Sequence, residues 1–168
     1  MFRPYVLAAL AVLPLVACRT ADAADLPRQP VLNLEAARSV LSAAEAEARK
    51  QGWPAAIAIT DAGGALLTLD RMDGAGPAAA EIAAGKARTA AMFRRPTSAF
   101  EDAINGQRPA AITSGFVMMA GGMPLIVDGQ VVGAIGVSAD LPQHDVAIAE
   151  VGRAAQPGRH IAGRIAAG

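Results

Sequence analysis

The chain has 168 residues, and its 15 basic side chains are balanced by 15 acidic ones, so it lacks the basic bias of a nucleic-acid binder. The length fits one domain, and 53% hydrophobic against 18% charged residues supplies a core and excludes disorder. One Cys rules out an internal disulfide or an all-Cys zinc site, two His are few for a His-rich metal centre, and 4% aromatics are too scarce for a base-stacking platform.

Met1-Phe2-Arg3 followed by the apolar run Pro4 to Val16 reads as a secretory signal, too short to span a membrane as a helix. Two cuts compete within residues 1–23. Leu15-Val16-Ala17-Cys18 has the look of a lipobox, with Cys18 lipidated, whereas Ala21-Asp22-Ala23 suits an ordinary signal peptidase. The lipobox is favoured because the only Cys sits at the required place. Export, to the periplasm or to a lipid anchor on the cell envelope, is the expectation either way, and both cuts remove Tyr5 and any usable thiol.

Residues 24–31, with Pro27 and Pro30, read as a tether, residues 32–155 as the domain, and residues 156–168 as a flexible tail. Asn33 is an N-cap for a helix whose apolar face is Leu34, Ala37, Val40, Leu41, Ala44 and Ala48, stopped by Gly52. Two strands, Ala55 to Thr60 and Ala65 to Arg71, form a hairpin across Asp61-Ala62-Gly63-Gly64. A helix is predicted over Ala78 to Met92, and Ser98 with Glu101 suggests a capping box on a short one ending near Asn105-Gly106. Gln107 to Ser114 looks irregular, and Phe116 to Met119 could be a strand. Pro124 to Val127 and Gln130 to Ser138 make a hairpin on Asp128-Gly129, a favoured two-residue turn. His144 to Ala155 is the last helix. Without β-α-β alternation the class is α+β: an antiparallel sheet flanked by helices in a single compact domain.

Each motif has a plain alternative. Asp61, opening a turn, is expected to bond its own backbone. Gly121-Gly122 suits a turn, a bulge or the close approach of a ligand. Arg71 and Asp73 leave an apolar strand, where groups are offered to a ligand, yet an exposed Arg-Asp pair there is worth little. Lys86 and Thr89 on the following helix could join Arg71 around an anionic group such as a carboxylate. No Ser lies in a nucleophile-elbow context. His144 beside Asp145 reads first as a solvated helix terminus and second as a ligand or base, and His160 lies in the tail. Met118 and Met119 read first as core filling, although thioethers also bind haem iron.

Together, Asp61 to Gly64, Arg71-Met72-Asp73-Gly74-Ala75, Lys86-Ala87-Arg88-Thr89-Ala90, Gly121-Gly122-Met123-Pro124, Val127 to Ser138 and Asp145 to Ala149 resemble the GlcG/HbpS family of haem-binding or "haem-degrading" domains, also found at the C-terminus of PduO-type proteins. The ordered set covers about Leu32 to Ala155. Ser138-Ala139-Asp140 departs from the Ser-Gly usual before the last helix. The resemblance implies a compact antiparallel sheet with helices, a homo-oligomer, and binding of haem or a related tetrapyrrole, in haem or iron scavenging or in sensing. On it, a binding protein is expected more than an enzyme. The cofactor site is expected at Arg71, Asp73, Lys86, Thr89, Gly121 and Gly122, with Arg71 and Lys86 pairing the propionates. An iron ligand would be His144, Met118 or Met119. Two rivals stand beside this reading. One is an enzyme acting on a small carboxylate, with Arg71 and Lys86 as clamp and Asp73 or Asp145 as base; the other is an oligomeric interaction protein.

Overall fold

Residues 29–158 of the chain are described by a computed structural model. The first helix, α1 (Leu34–Gln51), starts where Asn33 accepts a hydrogen bond from the Ala36 N–H at 2.8 Å, which satisfies one of the unpaired donors of the first turn. The elements that follow are β1 (Ala56–Asp61), β2 (Leu66–Arg71), α2 (Ala79–Phe93), α3 (Ser98–Asn105), a 3-10 turn over Pro109–Ser114, β3 (Gly122–Val127), β4 (Gln130–Ser138) and α4 (Pro142–Ala154). The strands make one antiparallel sheet in the order β2-β1-β4-β3.

Alternation along the strands sorts the two faces. Ile57, Ile59, Ile135, Val137 and Leu125 point toward α1 and α4 and are fully buried, each contributing roughly 1.5–3 kcal/mol of apolar burial. The opposite face is built from small residues: Ala56, Ala58, Ala134 and Gly136 receive the alanine stripe of α2. A Cβ on Gly136 would run into the α2 backbone at Ala83 and Ala87, so at that point the helix backbone lies directly on the strand.

Three sequence expectations change. Phe116 to Met119 is not a strand; it crosses over α2, with Val117 filling the space beside Gly85, and the sheet ends at β3. The Ser98–Glu101 capping box does not form. Thr97 takes the N-cap position, its hydroxyl accepts from the Gly122 N–H at 2.8 Å, and Glu101 instead accepts from the Ala120 N–H at 2.9 Å. The start of the expected loose tail is docked: Gln156 is buried, donating to the Ile126 carbonyl and accepting from its N–H where the β3–β4 register shifts. Asp128 and Gly129, both with positive φ, form the tight turn that their sequence suggests.

Candidate functional site

Asp61 behaves as a turn residue, its Oδ1 accepting from the Gly63 and Ala65 N–H groups. The expected anion clamp is not assembled. Arg71 donates to the Ala75 carbonyl at 3.0 Å, which ties down its own turn, and Asp73 is exposed. Thr89 is buried and bonds back to the Gly85 carbonyl.

Lys86 is 1% exposed, and its Nζ lies 2.5 Å from Asp145 Oδ2 and 3.0 Å from the Val137 carbonyl. Its charge is therefore neutralised inside the protein and is not offered to a ligand. Burial raises the Asp145 carboxyl above its ordinary value, opposed by the hydrogen bonds from Lys86 and from the Ala139 N–H. As one half of a buried ion pair, Asp145 is not a free base. Gly121 and Gly122 serve the same junction. Gly121 has φ 108°, and a Cβ there would lie 2.6 Å from Asp145 Cβ; one on Gly122 would lie 2.7 Å from Thr97 Cγ2. The close approach is therefore made by the protein itself: by the ion pair at Gly121, and by the Lys86 backbone and Thr97 at Gly122.

His144 sits at the start of α4 in a defined setting. Its ring stacks on Trp53 with centroids 3.7 Å apart and planes 8° from parallel, and Nδ1 lies 2.7 Å from Asp140 Oδ1. That hydrogen bond holds the Asp140 carboxyl below its ordinary value. Among the described residues, no group of three or more His, Cys, Asp or Glu side chains could hold a metal ion.

A different region has the character of a binding site. Three clefts, of about 320, 430 and 340 Å³, surround the segment from the 3-10 turn to Met119, a size range usual for small-molecule sites. Phe93 makes edge-to-face pairs with Phe100 and Phe116 at 5.0 Å, and these are three of the four Phe in the chain. Cations rim this apolar wall. Arg95 lies 5.2 Å from the Phe100 ring and Arg88 6.0 Å from the Phe116 ring, while Arg108 lines the 430 Å³ cleft beside Phe100. Met118 borders two clefts and Met119 one. The sequence reading missed Arg88, Arg95, Arg108 and the Phe triad. A visible signal was available: all three Phe of the domain fall between residues 93 and 116, among Arg94, Arg95 and Arg108.

Comparison with known proteins gives a consistent picture. A family model described as "Haem degrading protein HbpS-like" matches residues 32–154. Protein GlcG of Escherichia coli K12 is 44% identical over 109 residues, 64% of this chain and 81% of that protein. Among solved structures, a double mutant of Streptomyces reticuli HbpS superposes with TM-score 0.72 at 32% identity, covering 84% of this chain and 97% of that one. The structure described as a PduOC:heme complex superposes with TM-score 0.69 at 26% identity, covering 76% and 96%.

Proposed function

The chain belongs to the HbpS-like family, and from that premise we propose that it binds haem or a related tetrapyrrole in the clefts beside the phenylalanine triad. One observation carries the placement: an apolar, aromatic wall is rimmed by Arg88, Arg95 and Arg108. Such a wall suits the flat face of the macrocycle, and guanidinium groups suit its propionates, which they can pair with in a planar fork. Haem bound there would bring an iron centre to the surface between α2 and the 3-10 turn. The match to a haem-degrading family and the haem complex of a structural relative support a haem-related role.

Titration of the purified chain with haemin, followed at the Soret band, is expected to give a saturable shift. Phe116→Ala and Arg95→Ala should each weaken binding about tenfold, while Arg71→Ala leaves it unchanged. No saturable shift, or binding in both cleft variants as tight as in the parent, would sink this placement.

Export and oligomeric assembly belong to the same proposal. Residues 1–23 and Cys18 lie outside the described residues, and export rests on the leader-like sequence alone. Among the described residues no helix is long and apolar enough to cross a membrane. If Cys18 carries a lipid anchor, Cys18→Ala is expected to move the protein out of the envelope fraction. Retention of the variant at the envelope would remove the lipid anchor. Scavenging or sensing of haem is the role such a binder would serve.

A further inference from the structure

We infer that this site recognises the ring and acid groups of a tetrapyrrole rather than its metal, and so takes metal-free and metal-substituted porphyrins as readily as haem. The inference rests on the proposed binding site and goes beyond it to the class of ligand.

The argument is the donor set. None of the residues lining the three clefts is His, Cys or Tyr. Glu101 is the one carboxylate on these walls, and its Oε2 is held by the Ala120 N–H at 2.9 Å, while Ser114 offers only a neutral hydroxyl. The other side-chain donors to a metal are the thioethers of Met118 and Met119. Met119 is nearly half exposed and Met118 is packed into the wall, and a thioether is a weak, neutral donor beside imidazole or thiolate. His144 is the only His among the described residues, and it is fixed elsewhere by Trp53 and Asp140. The recognition elements that are present act on features common to every tetrapyrrole of this kind. Three aromatic rings offer π faces and edges to a flat macrocycle, and three arginines offer forks to its carboxylates. Iron, where the ring carries it, would add little to such a contact and would stay free to take an added ligand such as imidazole.

The test compares haemin, zinc protoporphyrin and metal-free protoporphyrin on the full chain, read by fluorescence quenching and absorbance. The three dissociation constants are expected to agree within about threefold, because no strong metal bond separates them. Arg88→Ala and Arg95→Ala should weaken all three to the same degree, and added imidazole should bind the ferric iron without releasing the ring. If haemin binds tenfold or more tightly than the metal-free ring, the inference is overturned while haem binding stands, and loss of that advantage in His144→Ala, His160→Ala or Met118→Ala identifies the ligand. If none of the three binds, the binding site itself fails.

Discussion

The 1% exposure of Lys86 is sustained by a single counter-charge. Desolvating an ammonium and a carboxylate costs several kcal/mol each, and their pairing offsets this only while both are present and both have their remaining hydrogen bonds. Here they do: the Val137 carbonyl accepts from Lys86, and the Ala139 N–H donates to Asp145. Asp145→Ala, which strands the ammonium, is therefore expected to cost about 3–5 kcal/mol in urea unfolding, whereas the double variant Lys86→Met/Asp145→Leu recovers much of it. Equal stability of Asp145→Ala and the parent would show that the pair contributes nothing. The motif strings containing Lys86 and Asp145 were legible in the sequence, 59 positions apart, but their pairing was not. Nothing local to either residue says that α2 and α4, on opposite faces of the sheet, meet at its end. A lone cation beside Gly-rich strings reads as a ligand contact until the facing carboxylate is seen.

At the scale of elements, the readable parts were those whose signal is local. Asn33 and the apolar stripe behind it define α1, and Asp128-Gly129 between two apolar runs defines the β3–β4 turn, because caps and tight turns depend on a few neighbouring residues. Phe116 to Met119 differs from the expected strand because Phe116, Val117 and the two Met have the composition of one, while their environment is set by α2 and α3. Gly85 on α2 leaves the space that Val117 occupies, so the helix and this wall of the clefts fit through one missing side chain. Gly85→Ala gains about 1 kcal/mol of helix propensity and loses about 1–3 kcal/mol to overpacking, a net loss of about 0–2 kcal/mol. Binding should respond more strongly. Displacement of Val117 moves Phe116 and Met118 with it, and haemin affinity is expected to fall about tenfold. A variant with unchanged affinity would separate the 115–121 wall from the site.

For the whole molecule, the division of the sheet into two unlike faces positions the chemistry. Branched side chains between the sheet, α1 and α4 make the thick core, and the thin alanine-glycine layer brings α2 close to the sheet. Beyond α2, the exposed side carries Phe93, Phe100 and Phe116, and the three arginines stand where a flat, acidic ligand can reach them. The chain-wide charge balance hides this: residues 88–116 hold Arg88, Arg94, Arg95 and Arg108 against only Glu101 and Asp102. The family followed from the ordered strings and the α+β class from the order of elements, but the position of the clefts depends on how the 3-10 turn folds over α2 and α3. The most direct test is an amide chemical-shift map of the isotopically labelled chain titrated with zinc protoporphyrin, a diamagnetic stand-in for haem. The account predicts that saturable shifts concentrate at Phe93, Arg95, Phe100 and residues 114–119. Shifts centred on Arg71, Asp73 and His144, with the phenylalanine clefts unperturbed, would contradict it.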